Sequence, residues 1–244
     1  MPPTWLVLPT LNEVGNLARL VAAVRGALPD ATILVVDDES RDGTADVADA
    51  LAASDAAVRV LHRRGRPGYG EALTAGFRLA LDAGADVVAT MDCDFSHDPA
   101  CLPQLVAALG SADVAIGSRY VAGGGIRDWP LHRKLLSATA NTFVGALFSL
   151  PPRDCTSGFR AYRRAALEVV PWARLHSTGY SFLVEVLYWV CRSGFRPAEV
   201  PIVYVDRKQG KSKMGLRQIV AGATNLVKVR LALPRNDRGV TVRP

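Results

Sequence analysis

The chain opens on a short apolar run, Thr4-Trp5-Leu6-Val7-Leu8-Pro9, followed by Leu17, Leu20, Val21, Val24 and Leu28 at helical spacing. The first segment reads as a buried strand and the second as an amphipathic helix. The unit then repeats. Residues 31–36 are almost purely apolar and lead to a helix over about 44–53, and residues 58–61 lead to a helix over 71–83. Two further apolar runs, 85–90 and 114–117, complete the series. Strands that are apolar throughout and alternate with helices predict an α/β fold, with a mostly parallel central sheet and helices on both faces.

With 244 residues and 49% hydrophobic content, the chain is long enough for one large domain. We expect a catalytic domain over 1–215 and a C-terminal extension over 216–244. The extension is basic: from Pro201 to Pro244 ten Lys and Arg face only Asp206 and Asp237. Such a tail suits an anionic lipid surface or a phosphorylated ligand. No aromatic follows Tyr204 to stack on bases, so nucleic acid is not an expected partner. Within the extension, Leu216, Ile219, Val220, Ala223, Leu226, Val227, Leu231 and Leu233 share one helical arc, interrupted by Arg230. That arc fits either an interfacial helix or one packed on its own domain. Trp129-Pro130-Leu131 with 138–150 forms a second amphipathic candidate. No apolar stretch reaches the roughly 18 residues that a membrane span needs. The four cysteines lack paired metal-ligand spacing and fit a reduced compartment. The expected location is cytoplasmic, peripheral to the membrane.

The polar residues gather where the apolar runs end. Asp92-Cys93-Asp94 directly follows the 85–90 run, so two carboxylates stand at the carboxyl edge of the sheet, where open α/β sheets bind ligands. Paired acids of this kind suit Mg²⁺ or Mn²⁺ carrying phosphate oxygens, and equally a solvated turn capped by Ser96 or Asp98. Asp37 and Asp38 end the second run, where they suit a base and ribose, or a helix cap that Asp42 or Thr44 would also supply. Gly65 to Gly70 forms a glycine-rich turn ahead of a helix, but it matches neither a P-loop nor Gly-x-Gly-x-x-Gly. That disfavours an ordinary ATPase or an NAD enzyme.

Taken in order, Pro9-Thr10-Leu11-Asn12-Glu13, Val35 to Thr44, Asp92-Cys93-Asp94 and Gly117-Ser118-Arg119-Tyr120 resemble the inverting family 2 glycosyltransferases with a GT-A fold. Residues 91–99, 154–162, 179–182 and 206–214 narrow the resemblance to dolichyl- or polyprenyl-phosphate mannose synthases. It extends over roughly residues 4–232. The resemblance implies mannose transfer from GDP-mannose to a polyprenyl phosphate, with inversion and release of GDP. By position it places Pro9, Asn12, Glu13, Asp37 and Asp38 around the nucleotide, and Asp92, Asp94 and Ser96 around the metal. Cys93 would present only its backbone. Three residues depart from the family pattern: Cys93 stands where alanine is common, Ser96 where some relatives carry Gln, and Tyr69 where a small or aliphatic residue is expected.

An acceptor phosphate monoester is largely dianionic at neutral pH, since its second pKa is about 6. It needs no general base. The enzyme must instead align that oxyanion, offset its repulsion from the donor diphosphate and stabilise the leaving group. Arg119, Arg133, Arg207 and Lys213 are the expected cations, because guanidinium groups match phosphate geometry and lysine supplies a point charge. A lipid acceptor further implies contact with the membrane surface and leaves room for a separate membrane-anchoring protein. A donor such as UDP-glucose, a soluble nucleotidyltransferase and a basic nucleotide- or lipid-binding module are the alternatives.

Overall fold

The computed structural model describes residues 2–175, 177, 179, 181–206 and 225–233. Its elements in chain order are β1 (Thr4–Thr10), α1 (Leu17–Ala27), β2 (Thr32–Asp38), α2 (Thr44–Ser54), β3 (Val58–Arg63), α3 (Tyr69–Asp82) and β4 (Val87–Thr90). There follow α4 (Leu102–Ala107), β5 (Val114–Ser118), β6 (Gly125–Arg127), α5 (Leu131–Phe148), β7 (Arg160–Arg163) and α6 (Arg164–Glu168). The last are α7 (Ser181–Arg192), β8 (Pro197–Pro201) and β9 (Val203–Val205).

Seven strands form the main sheet in the order β3-β2-β1-β4-β7-β5-β8. All its pairings are parallel except those of β7, which runs antiparallel between β4 and β5. The expected mostly parallel sheet is therefore present, with two strands, β7 and β8, that the apolar runs did not announce. A small parallel pair, β6 and β9, lies beside it.

Side chains alternate across each strand, so the sheet buries two faces. Leu6 and Leu8 with Ile33 and Val35 pack under α1 and α4 through Leu17, Leu20, Leu102 and Leu105. Val7 with Leu34 and Val36 packs under α3 and α7 through Leu73, Phe77, Leu183 and Leu187. Burial of each such side chain contributes about 1.5–3 kcal/mol, which explains why these strands read as continuous apolar runs. α3 lies close on the sheet because of Gly76, where a Cβ would come within 2.5 Å of Val7.

Residues 225–232 are helical. Val229 and Leu233 join the core beneath α5 and α7, and Arg230 donates from Nε to the Leu147 carbonyl at 3.0 Å. The arginine that interrupts the apolar arc thus ties this segment to α5. Val227 and Leu231 of the same arc stay exposed. The earlier part of the arc, 216–224, lies outside the described residues. Among the described residues no helix is long and apolar enough to cross a membrane.

Candidate active site

All parallel strands point their carboxyl ends to one edge, and the polar turns after β1, β2 and β4 meet there. The first two are laced together. The Asn12 backbone N–H donates to Ser40 Oγ (2.9 Å), the Arg41 N–H to Asn12 Oδ1 (2.8 Å) and the Glu13 N–H to Thr44 Oγ1 (2.8 Å). Asp42 accepts from the N–H groups of Val14 and Thr44. Burial works against its charge, yet the hydrogen bonds from Thr44 and Val14 hold its carboxyl below the ordinary range. The N-cap of α2 is Gly43, and Asp42, one residue earlier, takes the first N–H of the helix, so Asp37 and Asp38 are spared that role. Pro9, half-buried, sits within β1 opposite Val36. Each of the three turns holds a non-glycine residue in the left-handed region: Asn12 (φ 59°), Glu39 (φ 60°) and Phe95 (φ 58°). Backbone strain of this kind concentrates at ligand sites.

β2 carries its regular pairing through Asp38, so both acids are buried. Asp37 Oδ1 finds no hydrogen-bond partner among the described residues, and His62 Nδ1 stands 3.7 Å from Oδ2. A buried carboxylate oxygen without a partner costs free energy unless a ligand supplies one. An N–H edge of a nucleobase is a fitting donor. Asp38 is used differently, since it pairs with Arg63 and accepts the Gly68 N–H at 2.5 Å. Burial raises its carboxyl above the ordinary range, against the pull of Gly68 and Arg63.

After β4, Met91 and Cys93 point into the core while Asp92 is half-exposed and Asp94 is 8% exposed. Cys93 is buried, and that burial pushes its thiol far above the usual range. Asp94 Oδ1 accepts the Ser96 N–H at 3.0 Å. Ser96 is 1% exposed, and its hydroxyl has no partner among the described residues. Two carboxylates and an unsatisfied buried hydroxyl fit a hard divalent cation that takes its remaining oxygens from a diphosphate. No cluster of three or more His, Cys, Asp or Glu able to hold a metal occurs among the described residues. Asp98, not Ser96, caps the following turn by accepting the Ala100 N–H. His97 is buried, stacked on Phe159 with ring centres 5.2 Å apart. Burial holds it below the usual histidine range despite Asp92 and Asp94.

A cleft of about 1170 Å³ runs from Asp94, Ser96 and His97 past Arg127 and Asp206 to Arg19 of α1. Among the expected cations, Arg119 directly follows β5 and is held by the wholly buried Asp154. Arg133, at the start of α5, pairs with Asp206 at 2.9 Å and lies 3.8 Å over the Trp129 ring. Tyr204 gathers this corner, touching the rings of His97 and Trp129 and the Arg119 guanidinium. Arg207 and Lys213 lie outside the described residues. Two contacts escaped the sequence reading: Asp154 as the partner of Arg119, and the Tyr69 hydroxyl donating to Asp92 at 3.1 Å. A phenol placed in a glycine turn was the only local signal for the second.

Residues 5–170 match the family model for glycosyl transferase family 2. The chain is 41% identical over 226 residues to an undecaprenyl-phosphate mannosyltransferase of Micrococcus luteus, covering 93% of each chain. It is 45% identical over 213 residues to a polyprenol monophosphomannose synthase of Mycolicibacterium smegmatis, covering 86% of this chain and 80% of the relative. Among solved structures it shares a fold with the mannosyltransferase PcManGT of Pyrobaculum calidifontis in complex with GDP-Man and Mn²⁺, at a TM-score of 0.62 and 17% identity. That similarity covers 95% of this chain and 63% of the other. The GT-A sheet, the acids at its carboxyl edge and these matches lead to one statement: the chain belongs to glycosyl transferase family 2 and is a glycosyltransferase.

Proposed function

We propose that this chain transfers mannose from GDP-mannose to a polyprenyl phosphate, forming a β-mannosyl phosphodiester and releasing GDP. The observation that carries the reading is one shared edge: the open Asp37 oxygen at the end of β2 and the Asp92, Asp94 and Ser96 oxygens after β4. In this reading the first faces the base and the others face the diphosphate of one nucleotide sugar. The two bacterial relatives, whose names specify a polyprenyl-phosphate acceptor and mannose, support the choice of acceptor and sugar.

In this reading Asp37 accepts from the base and Pro9, Asn12, Glu13 and Asp38 shape its pocket. Asp92, Asp94 and Ser96 hold Mg²⁺ or Mn²⁺, with Asp94 the principal ligand. The ion, when bound, neutralises the diphosphate and makes GDP a better leaving group. An acceptor phosphate oxygen attacks the anomeric carbon from the face opposite the diphosphate. One C–O bond forms as the other breaks, which inverts the centre, and no proton need be removed because the phosphate is already ionised. Arg133 is the described cation assigned to that phosphate, together with Arg207 and Lys213. Arg119 supports the corner through Asp154 and Tyr204 and adds positive potential.

The acceptor's lipid tail brings the enzyme to the cytoplasmic face of a membrane. α5 suits that surface, because Leu131, Leu135, Leu136 and Phe143 are exposed on one side of it, Leu131 by 71%. The helix begins beside Arg133, so the apolar face and the phosphate-binding cation are adjacent.

The test is transfer of label from a panel of nucleotide sugars to polyprenyl phosphate in mixed micelles. GDP-mannose should serve as donor in a divalent-metal-dependent reaction that Asp94→Asn lowers about 100-fold, equivalent to losing roughly 2.7 kcal/mol of electrostatic stabilisation. Label arriving only from UDP-glucose would overturn the donor assignment. Full activity in excess chelator would overturn the role of the acids.

A further inference from the structure

We infer that Tyr69 is a positioning residue of the metal and diphosphate site, fixing the Asp92 carboxylate through its phenol hydroxyl. This rests on the assignment of Asp92 to that site.

The turn that carries Tyr69 is held at both sides. The Gly68 N–H donates to Asp38 Oδ2 at 2.5 Å, which pins the turn to the end of β2. Gly70 packs so closely on Phe182 that a Cβ there would lie 3.0 Å from it. Between these anchors the Tyr69 ring rests against the core and its hydroxyl reaches Asp92 Oδ1 at 3.1 Å. A third segment makes room for the contact. A Cβ at Gly158 would stand 2.7 Å from the Tyr69 hydroxyl and 3.3 Å from Asp92 Oδ1, so a side chain at 158 would push into the pair.

The physical consequence is specific. Asp92 is half-exposed and lies two residues beyond the end of β4, past the paired part of the strand. The phenol O–H donor at 3.1 Å selects one orientation of that carboxylate before ligand arrives. Hydrogen bonds to metal-binding groups from the surrounding residues commonly set affinity in this way. An aliphatic residue in the same turn fills similar space but offers no donor. The contact also links the base and diphosphate ends of the site: one turn touches Asp38 with Gly68 and Asp92 with Tyr69.

GDP binding measured by calorimetry with and without Mn²⁺ tests this, using wild type, Tyr69→Phe, Asp92→Asn and the double variant. Tyr69→Phe should cut the Mn²⁺-dependent gain in GDP affinity about tenfold, the amount expected for one lost hydrogen bond to a charged group. Metal-free GDP affinity and the melting temperature should match wild type. In the Asp92→Asn background the same change should have no further effect, since the partner is already altered. An unchanged Mn²⁺ gain in Tyr69→Phe, additive effects in the double variant, or a fall in melting temperature without a metal-specific loss would each overturn the inference. Wild-type protein that binds GDP with no response to Mn²⁺ would instead overturn the metal assignment, and the inference with it.

Discussion

Arg119 and Asp154 form a two-pronged ion pair inside the protein, Nε to Oδ2 and Nη2 to Oδ1, each at 2.7 Å. The same carboxylate accepts the backbone N–H groups of Arg119 and Ser157, and Arg119 Nη2 also reaches Thr156. The pair therefore joins the end of β5 to the loop that leads into β7. Asp154 is completely buried and the Arg119 side chain is 9% exposed, so neither charge has water to fall back on.

Asp154→Asn strands the Arg119 charge and should lower stability by about 3–5 kcal/mol, measured by urea unfolding. Burial works to raise the Asp154 carboxyl, but Arg119 overcomes it and holds the group below the ordinary carboxylate range. A depressed folded-state pKa stabilises above the unfolded value, near pH 4, and that stability is lost as pH falls through the lower folded value. The contribution of the pair should thus be constant from neutral pH down to about pH 4 and disappear only in stronger acid. Loss of the wild-type advantage over Asp154→Asn at pH 6 would contradict this.

Arg133→Ala separates acceptor from donor binding. Losing a charge-assisted hydrogen bond to phosphate costs about 1.5–3 kcal/mol, so the KM for the polyprenyl phosphate should rise roughly 10- to 100-fold while GDP affinity holds. Steady-state kinetics with each substrate varied in turn reads both. Equal losses for both substrates would return Arg133 to a purely structural role with Asp206 and Trp129.

The membrane reading predicts a contrast between two kinds of leucine and valine. Leu131→Asp with Leu135→Asp changes residues that are 71% and 60% exposed, so stability should move by no more than about 0.5 kcal/mol per site. Sedimentation with anionic vesicles should nevertheless drop, because the apolar face of α5 is lost. Val229→Asp, at 2% exposure in the core, should unfold the protein instead. Wild-type protein without vesicle affinity would point to a separate membrane-anchoring protein.

The order of the first five strands and of α1 to α3 was readable because each of these elements buries a continuous apolar stripe, a purely local signal; the short α4 between β4 and β5 was not. The acids were readable for a related reason: a parallel strand delivers whatever follows it to one edge, so Asp37 and Asp92 reach the same edge of the sheet without any knowledge of the topology. β7 was not readable in that way. It carries Arg160, which is 0% exposed and satisfied by carbonyl groups of Ser157, Leu183 and Cys155. A charged residue in a central strand hides the strand from any apolar pattern. The Arg119–Asp154 and Tyr69–Asp92 contacts were equally hidden, since they join residues 35 and 23 positions apart across separate loops. Segment 225–233 shows the limit of periodicity from the other side: the arc was visible but left out Val229, which packing buries together with Leu233, while Val227 and Leu231 of the arc stay exposed.

The identity of the product decides whether this chain mannosylates a lipid phosphate with inversion. Protein supplied with GDP-mannose, Mn²⁺ and polyprenyl phosphate should yield one lipid whose proton and phosphorus NMR spectra show mannose joined to the phosphate through a β-anomeric linkage, with GDP released in equal amount. An α-linked product, free mannose in place of a mannolipid, or no transfer to the lipid phosphate would contradict the account.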